Sequence, residues 1–310
     1  MTIVSAVFPI FAIALLGYLA ARTRLLTEQG VEGLSRFVFY VAIPALLFHA
    51  LVHLELPDHL NWPFMGSYYA AALVVYGIGM WLSHSIFHQT SAEQAIFGVG
   101  SAYSNMVLVG LPIVSTGLGE QAILPLFMII SIHSAIMYGL TALLVEGRSG
   151  NGATLREVAV QTARSLARNP IIIGLVLGLA ANLLHITLPK PLDDTLGYLR
   201  GATLPCALFV LGASLNAFKV TGRVGEALTI AGLKMIVHPL LVALLVFGIF
   251  HVDHLWGAVA VMAAGMPVGV NAHVLAQKYR SNIPIVSTAL LMSSLLAIVT
   301  QSILLIIFAG

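Results

Sequence analysis

The 310-residue sequence predicts an all-α polytopic membrane protein. It reads as ten transmembrane helices in two inverted five-helix repeats, with broken helices four and nine crossing one another. Three observations predict this. Hydrophobic residues make up 59% of the chain and charged residues 8%, against roughly 25% charged in a soluble domain. Apolar windows of about 20 residues, the length that spans a bilayer, recur along the whole chain. Landmarks of the first half also return in the second. Pro9-Ile10 and Gly17 recur as Pro170-Ile171 and Gly178, and Pro44, Leu47 and Phe48 recur as Pro205, Leu208 and Phe209, all at one offset of 161 residues. Pro125 and Pro284 match at nearly that offset. An odd number of spans per half means that the second half enters the membrane upside down, a plan found among transporters.

The spans are expected at residues 2–21, 31–52, 63–87, 92–117, 120–146, 169–187, 195–216, 226–250, 254–279 and 283–308. The first has no basic stretch ahead of it, and Arg22 and Arg24 follow it, so it reads as a transmembrane helix rather than a removable signal. The second and third carry His49/His53 and His84/His88 at i, i+4 spacing. Both pairs stand at span ends with no suitable acidic partner, and no metal site is expected.

The fourth span contains Gly100–Gly119, GSAYSNMVLVGLPIVSTGLG, a stretch built to interrupt a helix. Pro112 lacks an N–H and clashes with the carbonyl one turn back, and Gly110 beside it is conformationally free. Pro112 is therefore expected to break the helix near mid-membrane, with Ser104 and Asn105 bringing polar groups to that depth. The fifth span holds His133 between Ser131 and Ser134. Such a histidine can bind an anion or shuttle protons, or stay neutral as a hydrogen-bonding link between helices. Gly147–Arg168 is the one long polar connection, a linker with a short amphipathic helix from about Leu155. The chain thus divides into a first repeat (1–146), a linker (147–168) and a second repeat (169–310).

Cys206, in the seventh span, is the only cysteine, so there is no intrachain disulfide. Lys234 lies about nine residues into the eighth span, roughly 13 Å deep at 1.5 Å per residue. It reads either as a cation that attracts an anionic substrate or as a structural lysine, snorkelling to the edge or capping carbonyls of a broken helix. The ninth span repeats the interruption as Gly265-Met266-Pro267-Val268-Gly269-Val270-Asn271, with Pro267 expected at the break. Paired interrupted spans at matching positions point to a transporter's binding site.

Basic residues set the orientation. Arg22, Arg24, Arg36, Arg148, Arg156, Arg164, Arg168, Lys219, Arg223, Lys278 and Arg280 fall on one side of a ten-span chain, against Lys190 and Arg200 on the other. Odd-numbered connections and the linker are then cytoplasmic, and both termini lie outside.

Every aspartate and glutamate falls in or near a connection, so no buried carboxylate is available as a proton relay or hard cation ligand. Asn105 and Asn271 are the leading binding residues, because an amide offers both donors and an acceptor. Tyr103, Ser104 and Val270 are expected beside them, where half-helix N-termini present partial positive charge that suits an anion. No enzyme motif such as HExxH or GxSxG occurs in a span. No cofactor is expected, and coupling to protons or sodium stays open. The net charge of +2 carries no sign of a nucleic-acid partner.

Several stretches together resemble the auxin efflux carriers, a family that includes plant auxin exporters and bacterial malonate and malate permeases. They are Val41–His49; Asn105 with Gly110-Leu-Pro112-Ile113; Tyr138 and Glu146-Gly-Arg148; Pro267-Val-Gly269-Val270; Ala276-Gln-Lys-Tyr279; and Pro284 with Ser287-Thr288-Ala289. The resemblance implies a scaffold domain and a transport domain, two broken helices crossing at the substrate site, a homodimer, and a small organic anion moved across a cell membrane, here a bacterial inner membrane. It also places His133 near the substrate. Ser67 and Ala71 stand where plant members carry an acidic and a basic residue, and Asn271 stands where they are apolar. A sodium-coupled bile-acid-type carrier of the same architecture, or a non-transporting membrane sensor, are the alternatives. The missing intramembrane acids weigh against the first, and the lack of a sizeable soluble domain against the second.

Overall fold

A computed structural model describes residues 3–56, 61–146, 167–217 and 223–309, together with Glu157, Val160, Ala163, Arg164 and Val220. Most of the linker, with its expected amphipathic helix, lies outside the described residues. In chain order the helices are α1 (Ile3–Arg22), α2 (Glu28–Val52), α3 (Trp62–Ser85), α4 (Ser91–Ala102), α5 (Met106–Leu118), α6 (Glu120–Glu146), α7 (Pro170–Leu183), α8 (Lys190–Leu215), α9 (Val224–Ile249), α10 (His254–Ala264), α11 (Val270–Lys278) and α12 (Ile283–Ala309). Six of them, α2, α3, α6, α8, α9 and α12, are long and apolar enough to cross a membrane. Each of the ten expected segments is helical. The fourth is divided into α4 and α5, and the ninth into α10 and α11.

Three prolines leave the same mark. Pro44, Pro112 and Pro239 each follow a π-turn, at Val38–Ala42, Met106–Gly110 and Leu233–Val237. In each case the residue before the proline donates to the carbonyl five residues back, as Leu111 does to Met106. A proline ring collides with the carbonyl four residues back; widening the turn moves that carbonyl aside. The helix therefore continues through Pro112, and the expectation that Pro112 breaks the fourth span is corrected.

The chain forms two compact units, each drawn from both halves of the sequence. The first comprises residues 1–60 and 163–217, and the second 61–162 and 218–310. The first unit holds α1, α2, α7 and α8, and glycines set its helix spacing. A Cβ on Gly17 of α1 would sit 2.0 Å from the carbonyl oxygen of Phe209 in α8, and one on Gly212 of α8 would sit 1.7 Å from that of Ala14. On the other pair, Gly174 and Gly178 of α7 lie against Pro44 and Phe48 of α2. These contacts are reciprocal. Gly17 meets Phe209, while Gly178, 161 residues on, meets Phe48, 161 residues before Phe209. Thr203 Oγ1 in α8 donates to the Ala42 carbonyl in α2 at 3.0 Å, and those residues are again 161 apart.

Asn182 of α7 closes the C-terminal end of α2, its Nδ2 donating to the carbonyls of Leu51, Val52 and Leu54 at 2.8, 3.2 and 2.7 Å. Leu51 and Val52 close α2 and Leu54 lies just past it, where carbonyls run out of helical donors. Asn182→Leu is expected to lower the thermal unfolding midpoint in detergent, at a cost of about 1–3 kcal/mol for unmet carbonyls.

The second unit holds α3–α6 and α9–α12. Three of its N-termini are capped by side chains: that of α3 by Asn61, that of α4 by Thr90 with Glu93, and that of α10 by Asp253. Tyr76 of α3 ties α4 and α6 together, its hydroxyl 2.9 Å from the Ala95 carbonyl and 3.0 Å from Thr141 Oγ1.

Candidate functional site

Within the second unit α4 stops at Ala102 and α10 at Ala264. The chain runs extended through Tyr103–Asn105 and bends through Gly265–Gly269 before α5 and α11 begin. The two breaks pair as a single antiparallel bridge between Ser104 and Val268. Asn105 N donates to the Pro267 carbonyl and Gly269 N to the Tyr103 carbonyl, both at 2.9 Å. Gly269 is required by this approach, because a Cβ there would lie 2.5 Å from the Tyr103 ring and 3.2 Å from the Ser104 carbonyl oxygen.

Backbone groups freed in an apolar interior need partners, and neighbouring helices supply them. The Ser104 N–H donates to His133 Nε2 on α6 at 3.2 Å, and the Val268 N–H to Ser293 Oγ on α12 at 3.0 Å. Each bridging residue thus has its outward N–H met by a side chain of the long helix that ends its half. On the carbonyl side, Lys234 Nζ donates to the Ala264 oxygen, and Gln301 Nε2 to that of Met262 at 3.3 Å. Lys234 is fully buried. It does not snorkel; the alternative expected from sequence, a lysine capping the end of a broken helix, is the geometry found. His133 accepts a backbone proton through Nε2, so a neutral ring carries its own proton on Nδ1, which is buried and has no partner among the described residues.

Eight of the nine expected site residues are assembled at or against the breaks: Tyr103, Ser104, Asn105, Pro267, Val270, Asn271, His133 and Lys234. Pro112 lies further along α5, buried but away from the bridge. Asn271 Nδ2 donates to the Tyr103 hydroxyl at 2.7 Å, and that oxygen lies 2.6 Å from Ser134 Oγ. Asn105 is 6% exposed, and its Nδ2 has no partner among the described residues. Tyr68 adds a hydroxyl 3.1 Å from Ser104 Oγ, and its ring lies 5.4 Å from that of His238. Tyr68, Ser293 and Gln301 are site residues that sequence reasoning missed. Nothing local marks them, since each sits in an ordinary apolar helix.

The bridge brings two half-helix N-termini together, α5 at Met106 and α11 at Val270. Each end of this kind carries roughly half a positive charge and unpaired N–H donors. Among the described residues no aspartate or glutamate lies in either break; the acids of this unit stand at helix ends, as Glu93 at the start of α4 and Glu226 paired with Arg223 at 3.0 Å. A pair of helix N-termini with amide donors and no carboxylate is suited to an anion.

His238 Nδ1 lies 3.3 Å from Lys234 Nζ, and His273 Nδ1 lies 3.0 Å from Ser287 Oγ. In the first unit, His49 and His53 do meet an acid, contrary to expectation: Asp193 Oδ1 of α8 lies 3.2 and 2.8 Å from their Nε2 atoms. Arg200 stands 3.4 Å from the other nitrogen of His49. Sequence separation of 140 residues hid that acid.

Removing Ser293's hydroxyl tests how far the bridge depends on these caps. Ser293→Ala leaves the Val268 N–H unpaired and is expected to cost about 1–3 kcal/mol, read as a lower unfolding midpoint of the purified protein.

The membrane transport protein family model matches residues 2–305. A relative from Rhizobium meliloti (strain 1021), named "Putative malonate transporter", is 29% identical over 304 residues, covering 96% of this chain and 93% of its own. An uncharacterized transporter of Methanothermobacter thermautotrophicus is 27% identical, with 95% and 94% covered. Auxin efflux carrier component 5 of Arabidopsis thaliana is 24% identical over 335 residues, with 96% and 93% covered. These matches run nearly from end to end, and the chain belongs to the membrane transport protein family, that of the auxin efflux carriers.

Proposed function

We propose that this chain is a secondary transporter that moves a small organic anion, a carboxylate, across the membrane by alternating access. One observation carries the proposal. The N-termini of α5 and α11 open at a hydrogen-bonded bridge that contains no carboxylate, and the buried amide of Asn105 beside it has a donor with no partner among the described residues. The substrate carboxylate lies against these two N-termini. Asn105 donates to it, and Asn271 positions the Tyr103 hydroxyl beside it. Ser104, Pro267 and Val270 shape the backbone around it. His133 and Lys234 hold the breaks open by meeting Ser104 and Ala264. The dicarboxylate in the name of the rhizobial relative supports a substrate of this class. Membership of a transporter family supports a non-enzymatic role.

The wider architecture belongs to the same proposal. Ten spans form two inverted repeats, 1–146 and 169–310, joined by a cytoplasmic linker at 147–168. The carrier works as a homodimer in a bacterial inner membrane. The reciprocal contacts at 161-residue offset and the matched caps from His133 and Ser293 support the repeat, because a two-fold relation between halves makes such pairs. Both termini then face outward. A C-terminal reporter active only in the cytoplasm is expected to stay silent; a strong signal would overturn the ten-span topology.

The binding test is a thermal-shift screen of the purified protein against mono- and dicarboxylates, malonate included, with and without sodium. A ligand at a hundred times its Kd raises stability by about 2.7 kcal/mol. No shift with any carboxylate would count against the proposal.

A further inference from the structure

Lys234 sits in the π-turn Leu233–Val237 of α9, the widening that accommodates Pro239. Its amine reaches the carbonyl of Ala264, the last residue of α10, and Nδ1 of His238 at 3.3 Å. Neither contact is an ion pair, and among the described residues no carboxylate is bonded to Lys234. What it meets is the C-terminal end of a half-helix, which carries about half a negative charge and carbonyls without intrahelical partners. In secondary transporters, half-helix C-termini and unwound carbonyls are where coupling sodium ions are held. Here the position is taken by a side-chain amine that belongs to the chain. The Met262 carbonyl, two residues before Ala264, is met by Gln301 Nε2. Among the described residues the acids nearest in sequence stand apart from this place: Glu226 lies eight residues before Lys234 on α9 and pairs with Arg223 through Oε1, and Asp253 caps the opposite end of α10.

We propose that Lys234 is a tethered cation standing in the place of a coupling sodium ion at the carbonyl end of α10, so that the carrier works without sodium. The word coupling rests on the transporter reading above; the filling of the α10 end by Lys234 does not. The role is a positioning one. Lys234 neutralises and fixes the second break, and the substrate meets the N-terminal ends on the other side of the bridge.

The test is thermal unfolding of the full-length protein in detergent, in sodium chloride or choline chloride at equal ionic strength. The wild type is expected to unfold at the same midpoint in both salts. Lys234→Ala, which leaves room for a small cation, is expected to shift down by roughly 5 °C in choline and to recover in part with sodium or methylammonium. Lys234→Met fills the space without charge and is expected to shift down without recovery. A wild-type midpoint raised by sodium overturns the proposal, and so does a Lys234→Ala protein indifferent to all three cations. Should Lys234→Ala fail to fold, malonate uptake by wild-type proteoliposomes decides: equal rates in sodium and choline support the proposal, and an absolute sodium requirement overturns it. If the wild type takes up no carboxylate in either salt, the transporter reading fails while the unfolding result still stands.

Discussion

Asn105→Leu is expected to abolish measurable carboxylate binding while leaving the apo protein as stable as the wild type, or more so. The two halves of that expectation come from one observation. Asn105 is 6% exposed, and its Nδ2 has no partner among the described residues. A buried, unpaired amide costs free energy in the empty protein. Replacing it with an apolar side chain of similar size removes that cost and breaks no hydrogen bond made through Nδ2. Binding is the opposite case. A hydrogen bond to a charged group contributes about 1.5–3 kcal/mol, so its loss weakens affinity by roughly ten- to a hundredfold, and the leucine also blocks the space. Asn271→Leu is expected to lose binding too, but with a lower unfolding midpoint, because Asn271 bonds the Tyr103 hydroxyl at 2.7 Å. Thermal-shift titration with malonate measures both quantities in one experiment. An Asn105→Leu protein that binds as tightly as wild type would remove this amide from the site.

Gly212→Val is expected to prevent folding of the first unit. A Cβ at this position would stand 1.7 Å from the Ala14 carbonyl oxygen and 2.5 Å from its carbon. These are main-chain atoms, so no rotamer change relieves the clash; α1 and α8 would have to separate along their contact. Overpacking a core by a methylene or two already costs about 1–3 kcal/mol, and a branched side chain driven into backbone exceeds that. Gly201, on the same helix, has nothing within 4 Å of its would-be Cβ. Gly201→Ala is therefore expected to be tolerated, with a small gain in helix propensity. Expression followed by size-exclusion chromatography compares the two. Monodisperse Gly212→Val protein at wild-type yield would show that the close approach of α1 and α8 is dispensable.

Much of this molecule is legible from residue order alone. Helix formation in apolar windows follows from the need to satisfy backbone hydrogen bonds locally in a nonpolar medium, so composition and window length were enough to locate the helical segments to within several residues. The second break was legible as well. Pro267 between Gly265 and Gly269 leaves too few donors, and too little helix preference, to continue a helix. Asn105 and Asn271 stood out because amides are rare in such windows, and both lie at the breaks.

Tertiary structure decided the rest, because the deciding partners are far apart in sequence. Pro112 carried the strongest local breaking signal in the fourth segment, yet a π-turn absorbs it, and the break falls at Tyr103–Asn105. That segment leaves the helix where a bridge to Val268 and the ring of His133 replace its lost hydrogen bonds. Whether Lys234 faced lipid, substrate or a helix end depended on Ala264, 30 residues on. The pairing of His49 and His53 with Asp193 depended on the packing of α8 against α2. Local sequence specifies where a backbone can satisfy itself; only the packed structure specifies what satisfies it where it cannot.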